Sequence, residues 1–458
     1  MQRQYQCKNT DIVIIGGGIL GTVLSYIISS FSNSKIILIE QEKIVGYHTS
    51  SRNTGKIHAP FIYNPEKKWS IAKAALYGYD FWKDYCRVKR IEFKEDGIIE
   101  VSIKEKDVNT IYKHLEWGIK NGLEKQNLRV LDSEEIKNIE PNVICKNALL
   151  CKRDASVDFG KITRNLAMDA IRNNVEILTC SKVNKIEYNQ KVNKIILKFK
   201  QQIHHGKEIT IQCNYIINAS GGSALELAKM MNPSLKYKNI YFRGEYWKAP
   251  TKYKHLTNHS IYSVPEFQEF PFLDPHWIIR SNGNREIGPN ACPVSSQYGY
   301  DIKTNLKQFL PNTYNFIKDS EIKGIKNLIL NKEYLQLIIK ELSSSISKRH
   351  MINRVKKFLP LLKSNDFSIK GISGIRSNLI NKDGNFLLNP IFIKNNNAIH
   401  VLNYNSPGAT GAFSIGVSLT FNLLESRIIK EKNIHPGFYK EKLIEECIKE
   451  VKIDWSNL

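Results

Sequence analysis

The sequence is short of several things, and each absence narrows what the chain can be. It has eight cysteines in 458 residues, and no two of them form a C-x-x-C pair. No His/Cys cluster has zinc-site spacing, so no metal is expected. Thiols scattered singly through a long chain point to a reducing, cytoplasmic setting and away from a disulfide framework. No stretch reaches the roughly 18–20 apolar residues that span a bilayer. The nearest, ATGAFSIGVSLTFNLLES, contains Asn422 and several hydroxyls and is expected as a buried helix. A secretory pattern is missing too: the first apolar run begins only at Ile12 and belongs to a glycine motif. Acids are scarce beside bases, 44 against 67, which leaves a net charge of +23. That balance attracts anions. The lysines are scattered, however, and no basic stripe is interleaved with aromatics. A nucleic-acid surface, as in a basic RNA-binding flavoprotein, is the weaker reading, and no nucleic-acid partner is expected.

What is present begins with DIVIIGGGILG, Asp11 to Gly21. Ile12 to Ile15 is continuously apolar, as in a strand buried on both faces. Gly16, Gly18 and Gly21 then fit G-x-G-x-x-G. The first permits a tight turn, the second lets backbone approach a pyrophosphate, and the third lets helix pack on strand. The next segment, ILGTVLSYIISSF, has helical periodicity and opens at Ile19 with the positive end of its dipole toward the turn. KIILIE reads as the second strand. It closes on Glu40, about 20 residues past the last glycine, where a carboxylate accepts hydrogen bonds from ribose hydroxyls. Strand, turn, helix, strand and acid in that order predict a dinucleotide site without separating NAD from FAD.

Downstream the chain stays irregular for about 25 residues, as loops beside extended cofactors do. EKKWSIAKAALYGYDFWKDYC is a long helix, and DASVDFGKITRNLAMDAIRNN a turn into another. VEILTCSKVNKIEYN, KIILKFK and EITIQCN alternate as strands of an antiparallel meander, and YIINASGG reads as a separate buried strand. With 458 residues, two domains are expected.

Five further stretches, in order, carry a resemblance. RNTGKIHAPFIYNPEKK looks like an HNSGVIHAG-type segment, and FRGEYWK like an RGEY run. IYSVPEFQEFPFLDPHWIIRSNGNREIGPNA looks like a P-x-P, PFLGVH and GPNA series. SGIRSN is similar to AGVRAQ, and NYNSPGATGAFSIG to an SPAAT segment. Together they resemble the FAD-dependent L-2-hydroxyglutarate dehydrogenases (oxidases) of the amino-acid-oxidase superfamily. The departures are Arg52 for a histidine, Asn378 for a glutamine, and SPGAT, a form that malate:quinone oxidoreductases also carry.

The resemblance implies an α/β (α+β) fold with a Rossmann-like FAD-binding lobe, residues 1–75, 152–240 and 365–430. An antiparallel-sheet substrate lobe, 76–151 and 241–364, is interleaved with it, and 431–458 form a C-terminal tail. It implies oxidation of a 2-hydroxy acid, L-2-hydroxyglutarate first, with hydride passing to flavin N5 and electrons to a quinone or oxygen. Malate:quinone oxidoreductase and amino-acid oxidase are the alternatives. His276 and His58 are the candidate bases, because imidazole titrates near neutrality. Arg243 and Arg376 are candidate carboxylate clamps, with Tyr246 and Asn290 beside them; Arg376 is read in a glycine-flanked turn. Ser406, Pro407, Gly408, Ala409 and Thr410 would bring small residues and a helix N-terminus to the flavin. Further cofactor contacts are expected at Ser51, Arg52, Asn53, Val183, Ser220 and Gly221. SKRHMINRVKKFLPLL is a candidate amphipathic helix for an anionic membrane, on the inner face of which the protein would be peripheral.

Overall fold

A computed structural model of the chain describes residues 7–201, 207–301, 303–305, 307, 324–395, 397–432 and 440–456. It separates into two compact units, one of 1–51, 159–237 and 389–458, the other of 52–158 and 238–388.

In the first unit the apolar run becomes the strand Cys7–Ile15, whose Ile12, Val13 and Ile14 are buried. It lies between Ile36–Ile39 and Lys207–Asn218, parallel to both. Ala398–Leu402 extends the layer beyond Lys207–Asn218, and Glu176–Leu178 extends it beyond Ile36–Ile39, both again parallel. A parallel layer covered on both faces demands apolar residues at successive positions, as these strands have. The helix Ile19–Phe31 is buried along its whole length. Its Thr22, Ser25 and Ser30 hydroxyls donate to carbonyls one turn back, so burying them leaves no orphaned donor.

Two strand expectations need correction. EITIQCN and YIIN are one strand, Lys207–Asn218. On one edge it pairs antiparallel with Lys194–Gln201 of the meander, and on the other it pairs parallel with Cys7–Ile15. No glycine or proline breaks the run, so one extended backbone serves both neighbours. VEIL leaves the meander and joins the parallel layer as Glu176–Leu178.

The second unit holds a largely antiparallel eight-stranded sheet among the described residues. Ser260–Ser263 pairs antiparallel with His276–Ile279 and parallel with Ile98–Val101. A smaller antiparallel sheet pairs Lys238–Gly244 with Cys292–Val294 and Gly374–Ile380. SGIRSN is therefore strand, not turn. Arg376 stands opposite Phe242.

The expected membrane helix is present as Lys348–Lys356. Its apolar Met351, Ile352 and Val355, with Phe358 and Leu359 just past its end, are fully buried in a core shared with Trp277, Leu131 and Ile99. Those side chains are not available to lipid, and that expectation fails. Among the described residues, no helix is long and apolar enough to cross a membrane, no metal-holding cluster exists, and seven described cysteines are free thiols.

Candidate active site

The nucleotide residues gather at one edge of the first unit. Gly16 follows Cys7–Ile15, Glu40 follows Ile36–Ile39, Ser220 follows Lys207–Asn218, and Ser406 follows Ala398–Leu402. All stand at carboxyl ends of parallel strands, where open α/β sheets take ligands. Gly16 has φ +106°, and a Cβ there would meet the Ala219 carbonyl at 2.6 Å. A Cβ on Gly21 would lie 1.9 Å from the Gly16 carbonyl oxygen. The Ile19 amide donates to Ser50 Oγ at 2.9 Å. Ser50 was not singled out in the sequence, where a lone serine in a polar loop carries no signal.

Glu40 is buried, and desolvation raises its pKa against the backbone amides it accepts from. Those are the amides of Glu42 at 2.8 Å and Gly17 at 2.7 Å. A carboxylate has about four lone-pair positions, so two stay open for ribose hydroxyls. The Ser220 hydroxyl donates to Asn218 Oδ1 at 2.6 Å, and a Cβ on Gly221 would meet nothing within 4 Å. Gly408, Ala409 and Thr410 open the helix Gly408–Glu425, capped by Pro407, which supplies no side-chain acceptor. A tight turn, a half-satisfied acid and two helix N-termini fit a dinucleotide. Val183 offers only backbone, because its side chain packs in the meander core. Ser51 donates to the Gly46 carbonyl.

In the second unit His276 and Tyr262 stack, ring centroids 3.8 Å apart. His276 Nδ1 lies 2.6 Å from the Asp274 carbonyl oxygen. A carbonyl only accepts, so Nδ1 carries the hydrogen and Nε2 keeps its lone pair. Burial pushes this imidazole down to about 3, with His58 and Arg376 adding to the effect. His58 lies with its ring centroid 6.3 Å from that of Tyr262, on the same aromatic platform. It is also pushed down to about 3, by burial first and then by Lys56 and Arg376. Both imidazoles are therefore neutral near pH 7. Arg376 is half-buried and has no carboxylate partner among the described residues.

Other expected positions are already engaged. Arg243 pairs with Glu245 at 3.0 Å and donates to the Gly299 carbonyl at 3.0 Å. Asn290 accepts from the Glu245 amide at 2.8 Å and donates to the Glu245 carboxylate at 3.0 Å. Arg243 and Asn290 thus close on one glutamate. Tyr246 is buried against the Arg280 guanidinium, 5.0 Å from its ring centroid. Arg280 itself grips Glu286 and the Asn53 carbonyl. Arg52 lies over the Tyr300 ring at 4.5 Å. Asp274 is half-buried, and the desolvation raises its pKa, but Arg354 and Lys340 outweigh that and hold it near 2.

These shifts set an acid limit on stability. Unfolded histidine titrates near 6.5, whereas folded His58 and His276 stay neutral to about 3, and His400 to about 4. Below 6.5 the unfolded chain binds these protons first. Asp154 and Glu40, raised in the fold, oppose this with fewer sites. Stability is expected to be complete near pH 7 and to fall as pH drops from about 6.5 toward 4. Denaturant midpoints across that range check the sign.

Comparison with known proteins agrees with the geometry. The chain is 26% identical over 429 residues to the mitochondrial L-2-hydroxyglutarate dehydrogenase of Bos taurus, covering 90% of this chain and 88% of that one. It is 29% identical over 408 residues to L-2-hydroxyglutarate dehydrogenase of Indibacter alkaliphilus, covering 89% and 96%. Its fold matches the FAD-bound L-alpha-glycerophosphate oxidase of Mycoplasma pneumoniae with a TM-score of 0.71 at 20% identity, over 94% of this chain and 98% of that one. The model of the DAO family, described as FAD dependent oxidoreductase, matches residues 11–421. With the turn, the acid and the strand-end cluster in place, the chain belongs to the DAO family of FAD dependent oxidoreductases.

Proposed function

We propose that the chain oxidises a small 2-hydroxy acid to the 2-oxo acid, with L-2-hydroxyglutarate as the first substrate and a quinone or oxygen as the onward electron acceptor. One observation carries this reading: a buried imidazole, His276, and a half-buried one, His58, both neutral, share a tyrosine platform near a guanidinium without a carboxylate partner. An alcohol gives up its hydroxyl proton only to a base, and a carboxylate is held best by a guanidinium fork. His58 and His276 fill the first role and Arg376 the second. Gly16, Gly18, Ile19, Gly21, Glu40, Ser220 and Ser406 to Thr410 would hold FAD, which when bound supplies the two-electron acceptor. The names of the relatives agree with the substrate class.

The test is anaerobic addition of 2-hydroxy acids to the yellow protein. L-2-hydroxyglutarate is expected to bleach it faster than L-malate or any L-amino acid. Faster bleaching by malate or an amino acid would remove the substrate assignment.

A further inference from the structure

Behind His58 lies a charge cluster that the reading above does not use. Lys56 is 2% exposed as a residue, and its ammonium is buried completely. A lysine so deep needs carboxylates, and it has two: Asp96 at 3.0 Å and Asp154 at 3.8 Å. The pairing of Lys56–Ile57 with Ala155–Ser156 brings Asp154 to the lysine, and a bridge from Lys94 to Ser156 brings Asp96. Asp96 also accepts from the Ser156 hydroxyl at 2.7 Å. Asp154 is less well served. Its Oδ2 accepts only from the Ala59 amide, at 3.3 Å, and its buried Oδ1 has no hydrogen-bond partner. His58 Nδ1 stands 3.9 Å from Oδ2. The Tyr262 hydroxyl is likewise buried without a partner.

We propose that Asp154 is a positioning residue that acts through His58, orienting the imidazole and taking up the proton that His58 relays from the substrate hydroxyl. This rests on the alcohol-oxidation reading. In that reaction the electron pair leaves with the carbon-bound hydrogen, for which bound FAD is the oxidant. The O–H bond breaks and its proton bonds to His58 Nε2. The Nδ1–H bond then breaks and that proton bonds to Asp154 Oδ2, giving a carboxylic acid and a neutral imidazole. His276 cannot do the same, because its Nδ1 hydrogen points at a carbonyl that accepts but cannot keep a proton. The 3.9 Å gap is long for a hydrogen bond, as catalytic contacts often are before substrate closes them.

The groups facing Asp154 come from several elements: Lys56, His58, Asp96, Tyr79, Cys151 and Tyr262. Burial and Asp96 push its carboxyl up to about 7 against the pull of Lys56, so it can exchange a proton at neutral pH. The limiting rate of anaerobic bleaching by L-2-hydroxyglutarate is therefore expected to rise with pH through about 7. In Asp154→Asn it is expected to fall about 100-fold and to lose that limb, with the substrate dissociation constant within about threefold and the protein still yellow. Asp96→Asn removes a like charge and is expected to move the limb to lower pH. Wild-type rate and limb in Asp154→Asn overturn the proposal. So do equal slowing in both variants with the limb unmoved, and, should Asp154→Asn emerge colourless, a limb that stays in place in Asp96→Asn. Wild-type protein that no 2-hydroxy acid bleaches removes the underlying reading instead.

Discussion

Gly21→Val is expected to emerge colourless. Even a single Cβ at this position would stand 1.9 Å from the Gly16 carbonyl oxygen, where real contacts stay beyond 3.0 Å. Gly16 cannot retreat. Its amide donates to the Ile39 carbonyl at 2.8 Å, and its own Cβ position already faces Ala219 at 2.6 Å. The strain must go into the helix Ile19–Phe31, lifting its N-terminus off the strand. Overpacking of this kind costs about 1–3 kcal/mol or more. A lifted helix also withdraws the amides that a pyrophosphate needs. The measurement is the ratio of flavin to protein absorbance after gel filtration, with FAD titration of the stripped protein. A variant that retains stoichiometric flavin would place the nucleotide elsewhere.

Arg376→Met is the second large effect. The variant is expected to stay yellow, because Arg376 lies in the second unit and outside the glycine turn. Bleaching by dilute L-2-hydroxyglutarate is expected to slow about 1000-fold, or ~4 kcal/mol, the loss typical of truncating one partner of a desolvated charge pair. Arg376→Lys keeps the charge without the fork and should recover part of it. Arg243→Met is the contrast. It strands Glu245, so its signature is a lowered unfolding midpoint rather than a selective loss of rate. Equal behaviour of the two arginine variants would remove Arg376 from the substrate.

The legible parts of this site were those set by local spacing. The glycines, the strand before them and Glu40 are tied together within about 30 residues, and one buried parallel strand produces that pattern almost unaided. Arg376 was legible as a motif but not as strand, because the flanking glycine suggested a turn while the pairing partner, Lys238–Gly244, lies far away in sequence. Arg243 had a readable warning. Glu245 follows two residues later, just past the strand end, close enough to pair with the guanidinium. The Lys56–Asp154 cluster was not legible at all. Lysine is almost never buried, and nothing local marks the one that a distant carboxylate will hold. Tyr262 is hidden in the same way, because a tyrosine in a short apolar strand carries no local mark of the imidazole that stacks on it. The amphipathic pattern of Met351 to Leu359 was real, yet periodicity alone does not say whether an apolar face meets lipid or its own sheet.

The strand Lys207–Asn218 has a consequence for synthesis. Ile12 finds one neighbour early, in Ile36, but the other only in Tyr215, and Ile216 then meets Ala398 later still. As the chain leaves the ribosome, the nucleotide turn is made first and its support is completed last. Contacts of such long range are slow to form, because loop closure must precede any gain from pairing. The early glycines therefore wait with Ile36–Ile39 on one side of their strand and nothing on the other until Lys207–Asn218 is made. A chain truncated before Ala398 would retain its entire G-x-G-x-x-G motif and lack a neighbouring strand of the layer that presents it.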